Sequence, residues 1–148
     1  MPANIERYQG LYKYKFRWHR WCVYCGCQAE CIDHVFPLSL AKILNLREEH
    51  MRKHLRGGLY LVPSCNNCNI IAAAKPFNNI KDKRAYIQER LKKKYKNILR
   101  FKVWDDDELE GLGSEMRRQV IAGMRNRAVL EHRITFPDMK TVVPVKYI

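Results

Sequence analysis

Four cysteines in two Cys-x2-Cys pairs constrain this chain more than any other feature. Cys22 and Cys25 lie in "CVYCG", and Cys65 and Cys68 lie in "CNNCN". A Cys-x2-Cys pair in a tight turn presents two sulfurs on one side. Two such pairs supply the four ligands of a tetrahedral zinc site. The gap between the pairs is longer than in a compact zinc ribbon, so a folded segment is inserted between them. The plainer alternative is four small buried thiols. A site of this kind contributes folding energy directly, and by itself it says nothing about activity.

The rest of the composition narrows the setting. The chain has 148 residues, of which 47% are hydrophobic. That suits one folded domain rather than a disordered chain. We divide it into a basic aromatic N-terminal arm at 1–21, a cysteine-bearing core at 22–80, and a basic helix with a C-terminal helical extension at 81–148. Twenty-eight Lys and Arg against fifteen Asp and Glu leave a formal charge of +13. Such a balance favours a polyanionic partner, nucleic acid before an anionic membrane surface, over a merely basic soluble protein. The longest aliphatic run, "IIAAA", is far shorter than the roughly 18 apolar residues of a spanning helix, and "MPANIERYQG" lacks the apolar core of a secretion signal. The expectation is a cytoplasmic protein that is not secreted, in which thiols stay reduced and serve a metal rather than disulfides.

Local patterns sketch the elements. Leu11, Tyr12, Tyr14, Phe16 and Trp18 partly alternate with cations, which reads as an edge strand or a strand-like arm. Asn45 and Glu48 are spaced as N-cap and capping-box partner of a helix through "LREEHMRKHL", ended by Gly57 and Gly58. "LYLV" reads as a short strand. From Asp82 to Arg100, Ile87, Leu91, Tyr95 and Ile98 recur at helical spacing. After the acidic "DDDELE", a last helix starts near Ser114 with Met116, Val120, Met124 and Ala128 as its stripe. The tail "TVVPVKYI" reads equally as a strand or an extended arm.

The inserted segment holds the chemistry. "CIDHVFP" sets Asp33 against His34 inside an apolar run, and Asn69 follows the second cysteine pair directly. The pattern "CVYCG…IDHVFPLS…LVPSCNNCN" resembles the His-Asn-His (HNH) endonuclease family in its zinc-knuckle form, including small phage and bacterial HNH proteins. The likeness spans about Trp21 to Lys75, a third of the chain. It implies an α+β fold: a zinc-stapled ββα-metal core with additional C-terminal helices. Its further implications are Zn2+ on Cys22, Cys25, Cys65 and Cys68, and a catalytic Mg2+ or Mn2+ on Asp33 and Asn69. His34 on the first strand would be the general base, with Asn69 opening the helix that closes the site. The function implied is metal-dependent hydrolysis of phosphodiester bonds in duplex DNA, by nicking or double-strand cleavage. The residue types agree with those roles, since carboxylate and amide oxygens suit a hard cation and an imidazole accepts a proton near neutral pH. Tyr60 stands where the family places the Asn that orients the base.

Adjacent strand residues point to opposite faces, so Asp33 and His34 share a site only at a strand end or irregularity. Cys27, Cys31, His50 and His54 form a weaker candidate for a second metal site, with packed thiols and a solvated helix face as the alternative. Lys83, Arg84, Arg90, Lys92, Lys93, Lys94 and Lys96 are candidate phosphate contacts on one cationic helix, against an ordinary solvated face. The basic arm before Cys22 is another candidate contact. A homodimer is one arrangement that would let a single site cut both strands. The rival readings are a zinc-stabilised DNA-binding or assembly module on a catalytically weak HNH scaffold, and an RNA-directed protein.

Overall fold

A computed structural model describes residues 8–16 and 20–137. Three short strands, β1 (Lys13–Tyr14), β2 (Cys31–His34) and β3 (Tyr60–Ser64), form one sheet in the order β1-β3-β2. β1 runs parallel to β3, and β2 runs antiparallel to it. The long β2–β3 connection carries α1 (Leu38–Ile43), α2 (Glu48–His54) and a 3-10 turn at Arg56–Gly58. After β3 come α3 (Asn66–Ala72), α4 (Ile80–Lys94), α5 (Lys96–Leu99), α6 (Asp106–Glu110) and α7 (Ser114–Ile134). The fold is α+β, and no helix among the described residues is long and apolar enough to cross a membrane.

Strand alternation sorts the core into two clusters. Asp33 pairs with Val62 and His34 with Leu61, so the two polar neighbours face opposite sides of the sheet. On Asp33's side lie the cysteine pairs, Val62, Ile87, Leu91 and Leu130. On His34's side lie Tyr12, Phe36, Ala41, Met51, Leu55 and Leu59, with Leu61 against them. α1 and α2 therefore serve one cluster, while α3, α4 and α7 serve the other.

Several expected elements appear with altered ends. The arm joins the sheet through Lys13 and Tyr14, with an isolated bridge from Trp21 to Gln28, and Leu11 and Tyr12 are buried. Trp18, His19 and the tail from residue 138 lie outside the described residues. Asn45 is not an N-cap: α2 starts at Glu48 behind Arg47, with no side-chain cap. Instead Asn45 has φ 47°, its N–H reaches Lys42 O at 3.1 Å, and the Leu46 N–H reaches Ala41 O at 3.2 Å. That pair of bonds is a Schellman closure of α1, with Asn45 as its left-handed residue. Gly57 and Gly58 lie within a 3-10 turn beyond α2, where a Cβ would come 2.3 Å from Asn78 O and 2.7 Å from Phe77 O respectively.

The expected long helix over 82–100 divides at Tyr95 into α4 and α5, and Asn79 caps α4 by accepting the Asp82 N–H at 2.7 Å. Ile87 and Leu91 are buried, with Tyr95 and Ile98 packed on the same cluster. The expected stripe of α7 is corrected. Val120 and Leu130 are buried, whereas Met116 is 54% exposed and Ala128 is exposed. Position 123 is a Gly because a Cβ there would meet the Phe101 ring at 2.3 Å.

The Asn45 conformation has a direct test in urea unfolding. Asn45→Val should cost about 1–2 kcal/mol, the penalty of a left-handed β-branched residue, while Asn45→Gly should leave stability nearly unchanged. Equal losses in both variants would show that the Asn side chain, not the backbone angle, closes α1.

Candidate metal centre and active-site cleft

The four paired cysteines meet. Cys22, Cys25, Cys65 and Cys68 are buried, and their sulfurs all lie within 4.8 Å of one another. A tetrahedral ion with zinc–sulfur bonds of about 2.3 Å sets its sulfurs roughly 3.8 Å apart, and Cys25 Sγ and Cys65 Sγ are 3.7 Å apart. The donor set fits a structural metal such as zinc. Both turns are built for it. Gly26 has φ 74° and packs under Phe136, where a Cβ would come within 2.4 Å of the ring. Cys65 caps α3, its sulfur accepting the Cys68 N–H at 3.4 Å. Arg133 of α7 donates to Asn67 Oδ1 at 2.7 Å and lies 3.9 Å from Cys68 Sγ, so a guanidinium stands beside the sulfurs. Groups that bond to ligating atoms orient the ligands and offset their charge.

Beside this centre, β2, α1 and α3 frame a cleft of about 550 Å3. Asp33, His34 and Asn69 all line it, together with Ile32, Pro37, Leu38, Lys42 and Ile43. Asp33 and His34 reach one cleft despite their opposite faces because β2 ends at His34. Asn69 does not open α3. It sits one turn in, behind Asn66, and its N–H bonds Cys65 O at 3.1 Å. Thus the second cysteine pair fixes the register at which Asn69 meets the strand end.

Asp33 is the most constrained of the three. Its Oδ2 accepts the Tyr24 hydroxyl at 2.6 Å and lies 2.7 Å from Lys83 Nζ. Lys83 has no exposed surface, and its ammonium also donates to His34 O and Val35 O at 3.1 Å each. A buried ammonium with three acceptors is satisfied in full. Burial pulls the Lys83 pKa down and the Asp33 charge partly restores it. Burial raises the Tyr24 pKa well above that of a free phenol, and Asp33's charge adds to the shift, so the hydroxyl stays a donor. Both strong contacts fall on Oδ2.

His34 packs edge-on against Tyr12, with ring centroids 4.7 Å apart at 81°. Tyr12 is itself held by its hydroxyl bond to Phe36 O at 2.6 Å. Burial lowers the His34 pKa from 6.5, with the charges of Lys83 and Lys42 acting the same way and Asp33 opposing them. The imidazole is therefore neutral at neutral pH, the form that accepts a proton.

Other expected residues are redistributed. Tyr60 aligns with Lys13 on the face of Val62 and Asp33, so it does not stand behind His34. The aromatic ring that packs against His34 is Tyr12. Lys83 and Arg84 are corrected from phosphate contacts to core residues: Lys83 as described, and Arg84 with Nε on Val23 O at 2.8 Å. Both lie one turn before Ile87, so the buried stripe extended backwards would have found them. Arg90, Lys92, Lys93, Lys94 and Lys96 are exposed. His50 and His54 stack at 4.7 Å, but they do not gather with Cys27 and Cys31; the four paired cysteines are the metal-type cluster found among the described residues. Tyr24 and Tyr12 carried no distinguishing pattern in the sequence.

No family model matches this chain, and neither a curated protein nor a solved structure matches it.

Two outcomes follow from this geometry. The purified chain should carry about one zinc per molecule by elemental analysis, and a strong chelator should loosen the domain and lower its melting temperature; a metal-free chain of unchanged stability would exclude the site. Lys83→Met should destabilise by about 3–5 kcal/mol by stranding a buried carboxylate, and Asp33→Asn in the same chain should recover much of the loss. Additive losses in the double variant would mean that the pair is not coupled.

Proposed function

We propose that the chain is a metal-dependent endonuclease of the HNH type, hydrolysing phosphodiester bonds of duplex DNA. The observation that carries this reading is the meeting of Asp33, His34 and Asn69 in one cleft, framed by β2, α1 and α3. Asp33 and Asn69 offer oxygens suited to Mg2+ or Mn2+, an ion that when bound would stabilise charge at the scissile phosphate. His34 accepts the proton of the attacking water, and its neutral form is available because burial holds its pKa down. Lys83 and Tyr24 hold the Asp33 carboxylate in a single orientation. Tyr12 holds the imidazole.

The cationic face of α4 supports a nucleic-acid substrate. Arg90, Lys93 and Lys94 share a groove with Ile70 and Ile71 of α3, directly after Asn69 in the chain. Phosphates on that groove would run beside the cleft, contacts that position a duplex without reading its sequence.

A second reading rests on the Asp33–Lys83 pair. An ammonium 2.7 Å from Oδ2 competes with a divalent ion for the same carboxylate. On that ground the chain is a zinc-stabilised DNA-binding module with a catalytically weak cleft. A supercoiled-plasmid assay decides. Under the endonuclease reading, Mg2+ or Mn2+ supports nicking or linearisation, and His34→Ala removes at least 100-fold of it, on the order expected for a general base, with zinc content and DNA binding retained. An intact plasmid in both metals, with full zinc, favours the binding module.

The pH profile gives a separate check. Because the His34 pKa is lowered, the acid limb of cleavage should have its midpoint below 6.5, and activity should be level above it until other groups titrate. A midpoint above 6.5 is incompatible with the buried imidazole as base.

A further inference from the structure

We propose that a groove on the opposite edge of the sheet is a second phosphate-binding site, which takes the backbone of the same nucleic acid. The proposal rests on the nucleic-acid reading above but not on catalysis. The groove has a volume of about 500 Å3 and is lined by Lys13, Arg52, Arg56 and Tyr60, with Gly10, Leu11 and Leu59 behind them. Its three cations come from β1, α2 and the 3-10 turn, and only the fold brings them together. All three are exposed. A fourth, Lys15, stands 4.8 Å over the Tyr60 ring, and its N–H bonds Leu61 O at 2.9 Å, extending the edge.

Among the described residues no carboxylate lines the groove. The acidic partner of Arg52 is Glu48 at 3.9 Å, a solvated contact that leaves its guanidinium open to another anion. Arginine forks match phosphate oxygens two at a time, and an aromatic face beside them accommodates a sugar or a base. Like charges this concentrated are relieved when a polyanion approaches and releases its counterions.

The location identifies the anion as an extended backbone. β1 and β2 are the two edges of the sheet, with β3 between them. At about 4.8 Å per strand the two edge backbones are roughly 10 Å apart, so both sites flank one narrow sheet. The His34 cleft lies at the β2 edge and the cationic groove at the β1 edge, so both can meet one duplex. This also separates the groove from the cations of α4, which lie beside α3.

The experiment is fluorescence anisotropy of a short labelled DNA duplex with the zinc-loaded full chain carrying His34→Ala, over a salt series. An RNA duplex of the same length forms the second arm. Replacing both arginines, Arg52→Gln with Arg56→Gln, should weaken binding and lower the slope of log affinity against log salt by about 2, at roughly 0.9 per phosphate lost. A charge-matched control, Arg118→Gln with Arg125→Gln on α7, should change the slope little. An unchanged slope in the groove variant, or an equal drop in the control, overturns the groove. Tighter binding in the RNA arm, with the same arginine dependence, keeps the groove and reassigns its ligand to RNA. Plasmid cleavage by the chain with His34 restored is scored separately: a slope drop without cleavage leaves the groove standing and removes the nuclease, whereas cleavage without a slope drop does the reverse.

Discussion

The meeting of four sulfurs is the contact on which the other elements depend. The strands are two, four and five residues long, too short to hold a sheet by ladder bonds alone. The first cysteine pair precedes β2 and the second follows β3, so joining them clamps the open end of the antiparallel pair, where Cys31 aligns with Ser64. The same junction sets the start of α3, because Cys65 is its cap and Cys68 lies in its first turn. α4 and α7 then pack on the clamped unit, with Gln88 reaching Tyr24 O at 3.1 Å and Phe136 O at 3.0 Å. Small cores gain disproportionately from such a centre, since hydrophobic burial alone leaves them marginal.

The second determinant is electrostatic. Burying Lys83 and Asp33 costs several kcal/mol per ion before their attraction is counted. The geometry offsets that cost: the carboxylate receives an ammonium and a phenol, and the ammonium receives two backbone carbonyls as well. In return α4 is locked to the end of β2, where the chain leaves the sheet beside the cleft. The arrangement has two consequences that pull apart. It holds the Asp33 carboxylate in one orientation, and it places an ammonium against the oxygen that a cation of the proposed kind would compete for.

Much of this was legible beforehand. The cysteine spacing announced one four-sulfur centre, and the resemblance carried by the segment between the pairs pointed to Asp33, His34 and Asn69, which line one cleft. The helical stripe of Ile87 and Leu91 was visible from its period. Misreadings arose where two patterns used the same residues. Asn45 satisfies a capping-box spacing for α2, yet it follows α1 so closely that the Schellman closure takes it. Lys83 and Arg84 belong to a cationic run by composition and to the buried face by angle. On α7 the apolar spacing from Met116 continues past the part of the helix that meets the core, so Met116 stays exposed while Leu130 is buried.

What the sequence determined by itself is the chemistry available: four soft ligands in two pairs, one Asp–His neighbour set, one Asn after the second pair, and a large excess of cations. Residue identity and short-range spacing carry that information because turns and helices are local. Only the tertiary structure decided which cations are surface and which are core, that Tyr12 rather than Tyr60 stands against His34, and that a cationic groove forms from Lys13, Arg52 and Arg56. Those outcomes depend on strand register and helix docking. A shift of one residue in register reverses every side chain on the strand, and no local spacing encodes it.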